Sequence, residues 1–413
     1  GRVGSAPATP INMSSCIWLC QSRVWTSYGV WLISGLLYAG PDPHKCGWQR
    51  ACLIQMPRVL GILIRLPSLS RLMRVRLRGS GPWCVRQGEI KPRSWQTMAV
   101  EPAGLCRLKW VVMSSQLERG ALAGVFPVLQ SPFDNQDRLD CAVLSCEVEF
   151  CIRAGVHGVV YPAIASEFQY LTDDERRAGV RAVIEAAAGR IPVVAGVAGA
   201  SGAQASVYAE DAREAGASAV MALPPYISPG RVSELRQYYA RVAAAASKPL
   251  FVQHSQPGMD VEFLADLVSD IENVQYIKEE MHPSAHFITG VLDAMSGGST
   301  GVFGGYYGRW MLSELERGAT GFMPSAESVD VHVQVWDAWQ RDDRVAAREI
   351  FNCLLPLINQ SVLLETPLLK EVLVRRGVFS SARMRQPGAL ELDASDLMEL
   401  DVIMDALRPF FRA

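Results

Sequence analysis

Short, continuous apolar runs alternate with longer helical segments along the chain from Gly124 onward. The segment 173–188 opens with acidic residues and continues through an alanine run, and 202–214 ends before Gly216, as helices do. Uninterrupted apolar strands are typical of a parallel sheet that is covered on both faces. Eight strand-helix units predict a (β/α)8 TIM barrel, with a doubly wound open sheet as the alternative. The eight apolar runs are 125–129, 158–161, 192–197, 219–223, 250–253, 274–278, 301–304 and 321–323.

Helices are also expected after the eighth unit. We divide the chain into an N-terminal extension (1–112), the barrel (113–326), and a last part (327–413) that holds the final barrel helix and a C-terminal helical extension. Met113 is the natural start of the folded protein in this interpretation. The helices predicted in the last part are 329–341, 344–361, 367–376 and 394–411.

Residues 1–112 differ from the rest of the chain in charge and in pattern. They contain fifteen Lys and Arg against three acidic residues, whereas the remainder contains 25 against 39. Because no sustained helical or strand period is visible, we interpret this part as a disordered or non-native extension. An organellar transit peptide and a nucleic-acid-binding arm are alternatives, but no fold motif supports nucleic acid as a partner. Gly, Pro or Arg interrupts each apolar run before the roughly 18 residues of a membrane span, so no membrane partner is expected.

Four cysteines follow Met113, and none forms a CxxC pair or joins a histidine cluster. Cys146 and Cys151 lie in a predicted helix, where we expect reduced core thiols of a cytoplasmic protein. The sequence therefore predicts no metal site and no cofactor.

Lys278 is the leading candidate for chemistry. It ends the sixth apolar run, and the carboxyl ends of the strands carry the active site in such barrels. Burial disfavours the ammonium form, and a neutral amine can attack a carbonyl carbon to form a Schiff base. Because side chains alternate along a strand, Glu280 is expected beside Lys278 as a proton carrier, while Glu279 points away. The alternative is a solvated lysine paired with either glutamate.

Several motifs follow one another in a characteristic order after Met113. Each is weak alone, but together, over about 290 residues, they make the chain similar to the dihydrodipicolinate synthase and N-acetylneuraminate lyase family of Schiff-base aldolases and dehydratases. The resemblance implies that Lys278 forms an imine with pyruvate or another 2-oxo acid, on a barrel that is usually a homotetramer built as a dimer of dimers. The motifs are Phe126-Pro127-Val128 with Ser131-Pro132-Phe133, residues 163–168 followed by 171–176, Pro225-Tyr226, and Tyr276-Ile277-Lys278-Glu279.

Some positions depart from the pattern of this family. The loop whose hydroxyl groups hold the substrate carboxylate contains Ala165 and Ser166 here, so binding would depend on backbone N–H groups and Ser166, unless Ser166 only turns the chain. His254 aligns with the family's proton-relay tyrosine and would carry protons, or else fill a polar gap. Tyr226 is retained, with substrate contact and packing both open, and a second tyrosine of the family aligns with Ile227.

The reaction class is inferred from three further features. The Lys-Glu-Glu strand and Gly304-Gly305 make the chain similar to family members that are dehydratases or aldolases of 2-keto-3-deoxy sugar acids, and the arginine that follows strand five in the synthases is missing. We expect Gly304, Gly305 and Met323 to line the three-carbon end of the substrate. The alternatives are a 4-hydroxy-tetrahydrodipicolinate synthase of lysine biosynthesis and a non-catalytic 2-oxo-acid-binding protein.

Overall fold

The computed structural model describes residues 122–413, except for 229, 257 and 296–299. Earlier in the chain it describes the backbone of six short strands, and the rest of the predicted extension lies outside the described residues. The chain divides into two units between Ser115 and Gln116. The six strands pair as antiparallel ladders that join Arg23–Trp25 to Trp31–Ile33, Leu60–Ile64 to Met73–Leu77, and Val85–Arg86 to Glu89–Ile90.

In the second unit, eight parallel strands form one sheet in which consecutive strands from the second to the eighth pair with one another, and the first pairs with the last. Val128 bridges both Val160 and Ser325, which closes the sheet into a barrel. The predicted (β/α)8 TIM barrel is therefore confirmed. The strands are β1 (Gly124–Val125), β2 (Val159–Tyr161), β3 (Val193–Gly196), β4 (Ala219–Ala222), β5 (Leu250–His254), β6 (Val274–Glu279), β7 (Gly301–Gly304) and β8 (Gly321–Phe322).

Local capping residues set the ends of the barrel helices. Asp140 accepts hydrogen bonds from two backbone N–H groups in the first turn of its helix, and Gly155 ends that helix with a φ of 85°. Thr172 and Glu175 form a reciprocal capping box at the next helix. The helices are α1 (Cys141–Ala154), α2 (Asp173–Ala187), α3 (Gly202–Ala215), α4 (Val232–Ala246), α5 (Val261–Asp270), α6 (Ser284–Ala294), α7 (Met311–Glu316) and α8 (Val329–Gln340).

The C-terminal part is helical, as expected, but its division differs from the prediction. The expected helices 344–361 and 367–376 form one element, α9 (Arg344–Arg375), with a kink at Glu365, where φ is 53°. Pro367 follows the kink and lacks the N–H group that a continuous helix would use, so the break falls just before it. The last helix, α10 (Ala394–Leu407), ends earlier than predicted and is followed by a 3-10 turn, Arg408–Phe410.

Apolar side chains fill the inside of the barrel. The rings of Phe251 and Tyr276 are stacked with centroids 4.3 Å apart, and the Phe303 ring meets both edge-on. Met323 belongs to the same buried cluster. This packing identifies the inward face of β5, β6 and β7, because residues two positions apart share a face.

Two smaller expectations concern the helical layer. Cys151 is buried, as predicted, but Cys146 is exposed, since it lies on the solvent side of α1. The prediction of a core thiol at Cys146 is therefore wrong. Among the described residues, no helix combines the length and apolar character needed to cross a membrane.

Candidate active site

The inward face of β6 ends in a buried ion pair. Lys278 follows Tyr276 on this face, and its side chain is only 5% exposed. Its Nζ atom lies 3.1 Å from Oε1 of Glu280. Because Lys278 is at the carboxyl end of the strand, the pair lies at the end of the barrel where active sites of this fold are found.

Three donors surround the Glu280 carboxylate. Oε1 accepts hydrogen bonds from Lys278 and from the backbone N–H of Tyr306 at 3.1 Å, and Oε2 accepts one from Nε2 of Gln253. Burial opposes ionisation of Glu280, but the charge of Lys278, the Tyr306 N–H and the Gln253 amide outweigh it and lower the pKa of Glu280. Glu280 is therefore a carboxylate at neutral pH.

Gln253 was not anticipated from the sequence, although it joins this group. It lies on β5 directly opposite Lys278 in the strand register and is fully buried. The sequence does not predict that Gln253 faces inward. Its neighbours Phe251 and Val252 are both apolar, so they do not indicate which face of the strand is inside the barrel. The inner polar group of the barrel thus consists of Lys278, Glu280 and Gln253.

His254 lies on the opposite face of the same strand. Its Nδ1 lies 2.8 Å from Oε2 of Glu279, and its ring meets Phe287 of α6 edge-on with centroids 5.1 Å apart. Both polar side chains are buried between the sheet and the helices, and burial raises the pKa of Glu279 against the effect of the His254 hydrogen bond. The structure therefore does not bring His254 to the Lys278 amine, as a direct proton carrier would require. The pleat of β5 is the reason, since it directs successive side chains to opposite faces.

Gly304, the last residue of β7, and Gly305, which follows it, also face different ways. A Cβ atom on Gly305 would lie 2.5 Å from Cγ of Glu280, so this position must be small for the carboxylate to reach Lys278. A Cβ atom on Gly304 would instead overlap Oε2 of Glu314, on the outer side of the barrel. The Cα–H of Gly304 thus faces the outer side, whereas Gly305 borders the ion pair, and the contact of Gly304 with a substrate stays a prediction.

The backbone of the loop after β7 places the Tyr306 N–H within hydrogen-bond distance of Glu280. Tyr306 and Tyr307 both have positive φ angles, 48° and 61°, which are unfavourable for residues with a Cβ atom. Such conformations persist where surrounding contacts hold them, and they concentrate at functional sites. Here the loop gains the hydrogen bond from Tyr306 to Glu280 and one between His332 and the Tyr307 carbonyl, 3.0 Å apart.

The Ser166 hydroxyl links the backbone of its own loop, after β2, to that of the loop after β1. It donates to the Leu129 carbonyl and accepts a hydrogen bond from the Ala163 N–H at 3.0 Å, and Ser166 is fully buried. The geometry supports the alternative in which Ser166 turns the chain, because its donor is already used. Ala165 packs against the apolar cluster inside the barrel, so the backbone of this loop borders the interior.

The remaining expected contacts lie around the same end of the barrel. Met323 is buried inside it, and its N–H donates to the Gly304 carbonyl at 2.9 Å. Tyr226 is about one-third exposed and packs edge-on against Phe168, with centroids 5.2 Å apart. Ile227 is largely exposed, with 76% of its surface accessible. The described residues contain no group of three or more His, Cys, Asp and Glu side chains that could hold a metal ion.

A closed (β/α)8 barrel with a buried lysine-carboxylate pair at the end of its sixth strand defines the class of protein. Within that class, residues 121–407 match the Dihydrodipicolinate synthetase family. The chain belongs to this family, as its motifs indicated.

Relatives in the family carry different names. The L-2-keto-3-deoxyarabonate dehydratase of Azospirillum brasilense is 32% identical over 293 residues, which cover 69% of this chain and 94% of the relative. The 4-hydroxy-tetrahydrodipicolinate synthase of Brucella abortus is 31% identical over 163 residues, which cover 38% of this chain and 55% of the synthase. The match to the dehydratase thus extends over a larger part of both proteins.

Solved structures support the fold. Dihydrodipicolinate synthase from Rhodopseudomonas palustris is similar with a TM-score of 0.65 and 26% identity, covering 69% of this chain and 97% of the synthase. YagE, a prophage protein of the family from E. coli K12 in complex with pyruvate, has a TM-score of 0.65 and 22% identity, covering 69% of this chain and 98% of that protein.

Proposed function

We propose that the protein is a Schiff-base-forming lyase of 2-oxo acids, acting as a dehydratase or aldolase of 2-keto-3-deoxy sugar acids. The observation that carries the proposal is the buried pair of Lys278 and Glu280, 3.1 Å apart at the carboxyl end of β6. The extended similarity to L-2-keto-3-deoxyarabonate dehydratase supports the substrate class.

Imine formation needs a neutral amine, and Glu280 is positioned to provide it. Glu280 takes a proton from the Lys278 ammonium group, and the amine then attacks the C2 carbonyl carbon of the substrate. The proton returns to the hydroxyl group of the carbinolamine, which leaves as water and gives a C2 iminium ion. The Glu280 carboxylate is restored in this step and is again able to accept a proton.

The iminium ion acidifies the protons on C3. Glu280 removes one of them to give an enamine, and then protonates the C4 hydroxyl as the C4–O bond breaks, so that water is lost. In the aldolase alternative, Glu280 instead accepts the C4 hydroxyl proton while the C3–C4 bond breaks, an aldehyde leaves, and pyruvate remains on Lys278 as the enamine, which Glu280 then protonates at C3 to give the imine. Hydrolysis of the imine releases the product and the lysine in either case.

The loop after β2 is the candidate site for the substrate carboxylate. Because the Ser166 hydroxyl already donates to the Leu129 carbonyl and accepts from the Ala163 N–H, we assign the contact to backbone N–H groups around Ala165. Met323 contributes apolar surface inside the barrel, and Tyr226 borders its end. The homotetramer expected from the resemblance remains part of this proposal.

Borohydride reduction with pyruvate tests the imine. The expected result is loss of activity together with a protein mass increased by one reduced pyruvate, located at Lys278 by peptide mapping. Lys278→Ala should abolish both the adduct and turnover, whereas Lys248→Ala should retain both, because Lys248 precedes β5 and lies far along the strand from its carboxyl end. Absence of an adduct in protein that still binds pyruvate would contradict the lyase and favour a binding protein.

Separate assays for pyruvate release and for water loss with 2-keto-3-deoxypentonates and hexonates distinguish aldolase from dehydratase. Condensation of pyruvate with aspartate semialdehyde tests the synthase alternative. Turnover of aspartate semialdehyde, with none of the sugar acids accepted, would contradict the proposed substrate class.

A further inference from the structure

The side-chain oxygen of Gln253 is a buried acceptor that no described residue satisfies. Gln253 is fully buried, and its Oε1 atom has no hydrogen-bond donor among the residues that the structure describes. Buried polar groups in proteins almost always have a partner, so an unpartnered acceptor beside a reactive amine indicates a group that arrives from outside.

The orientation of this amide follows from its neighbour. Nε2 of Gln253 donates to Oε2 of Glu280, and a carboxylate can only accept. The opposite assignment would set two acceptors against each other. The Glu280 carboxylate is itself held by the Tyr306 N–H and by Lys278. The Gln253 amide is therefore fixed with its nitrogen toward Glu280 and its oxygen available for another donor.

The position of Gln253 relative to Lys278 determines which part of a ligand Gln253 can contact. The two residues are paired across the adjacent strands β5 and β6, and both face the inside of the barrel. Neighbouring strands are about 5 Å apart, so a three- to five-carbon chain attached to the Lys278 nitrogen remains within reach of the Gln253 side chain. The acceptor lies on the β5 side of the amine, opposite the β7 side, where Gly305 and Tyr306 border Glu280.

We propose that Gln253 Oε1 accepts a hydrogen bond from a substrate hydroxyl group and is the specificity-determining residue for hydroxylated 2-oxo acids. This assignment rests on the proposed function, because it requires a substrate held at Lys278. A hydroxyl group on C4 or C5 is a neutral donor that matches an amide oxygen, whereas an unsubstituted 2-oxo acid leaves that oxygen unpaired. Sites that bond a substrate hydroxyl discriminate against analogues that lack it for this reason.

Matched ligands separate this role from an effect through Glu280. The ligands are 4-hydroxy- and 5-hydroxy-2-oxopentanoate, with 2-oxopentanoate as the analogue without a hydroxyl. For the native protein and Gln253→Met, we would measure the ligand concentration that gives half-maximal borohydride-trapped adduct, identified by mass. Gln253→Met also removes the donor to Glu280, but that loss affects imine formation equally for all three ligands.

The expected result is that Gln253→Met raises the half-maximal concentration for at least one hydroxylated ligand by about tenfold more than for 2-oxopentanoate, the range of one hydrogen bond. Equal increases for all three ligands would overturn the proposal and leave Gln253 as a support for Glu280. No adduct with any ligand in the native protein would instead overturn the proposed function, and this assignment with it.

The native protein provides a second measurement in case Gln253→Met does not fold. It should trap one hydroxylated ligand at about tenfold lower concentration than 2-oxopentanoate. Equal concentrations for the three ligands would again overturn the assignment. Circular dichroism and the adduct formed with 2-oxopentanoate report whether the variant retains its fold.

Discussion

Glu314 should make the stability of the protein depend on pH in a defined interval. Its side chain is 1% exposed on α7, and burial raises the pKa of its carboxyl group from 4.5 to about 7, despite a hydrogen bond from Ser284. Its Oε2 atom has no partner among the described residues and faces Gly304. The folded protein therefore favours the neutral carboxylic acid at this position.

The sign of the effect follows from proton binding. Between pH 4.5 and 7 the unfolded chain loses the Glu314 proton while the folded protein retains it, so the free energy of unfolding falls as pH rises through this interval. One pKa unit corresponds to 1.36 kcal/mol, so the raised pKa corresponds to about 3 kcal/mol between the two ends. Above pH 7 both states are ionised and the contribution no longer changes.

The assay is urea unfolding of the native protein and Glu314→Gln at fixed protein concentration from pH 4.5 to 8. Gln cannot ionise, so the variant should gain about 3 kcal/mol relative to the native protein across this range. The matched control is Glu316→Gln on the same helix, where the side chain is exposed and the difference from the native protein should stay constant. A constant difference for Glu314→Gln as well would refute the reasoning, since Glu314 would then ionise alike in both states.

Three further substitutions test single contacts, one of which is the ion pair of Lys370 with Glu167, whose side chains are 0% and 1% exposed. Glu280→Gln should lower turnover by about 10²- to 10⁴-fold while the Lys278 adduct still forms slowly, because the proton acceptor is lost but the amine is not; unchanged steady-state turnover would contradict its role. Lys370→Met should destabilise the fold by about 3–5 kcal/mol, because the Glu167 carboxylate would stay buried without its cation. Adding Glu167→Gln should recover part of the lost stability, which a double-mutant cycle of urea unfolding would measure. Gly304→Ala should lower the thermal midpoint, because its Cβ atom would overlap a buried carboxylate; an unchanged midpoint would show that α7 can move away.

Most of the barrel could be predicted because buried parallel strands have a direct signature in sequence. Each of the eight apolar runs overlaps one strand, and most ends agree within one or two residues. β1 is shorter than expected because Pro127 has no N–H group to pair with a neighbouring strand, so the run continues only through isolated bridges at Val128. At the position of the kink in α9, the sequence predicts a gap between two helices. The sequence shows the proline, but it does not show that the helix continues after it.

The inner and outer faces of β5 could not be distinguished by the same means. Continuous apolar sequence predicts that a strand is buried but removes the alternation that would show which residues face inward. An irregularity in the pairing with β6, between Leu250 and Phe251, adds to the ambiguity, because counting from the start of both strands gives the wrong partner for each later residue. A comparison of motifs therefore selected His254, whereas the register places Gln253 opposite Lys278.

Glu314 had no signal in the sequence that separates it from an ordinary helical glutamate. Its burial depends on Gly304, which leaves room for the carboxyl group, and on Ser284 from another helix. Contacts of this kind join residues from three elements, so they appear only after the helices are packed on the sheet.

Three glutamates at this end of the barrel show how negative charge is distributed around Lys278. Glu280 has the lysine and two N–H donors, and its pKa is lowered. Glu279 has His254 as its partner on the outer face, and Glu314 has one hydroxyl donor and a raised pKa. Because an unpaired buried carboxylate is strongly unfavourable, only the glutamate beside the amine combines full ionisation with access to the inside of the barrel. Of these three glutamates, the proton acceptor Glu280 therefore lies on the inward face of the barrel, where we propose that the substrate binds.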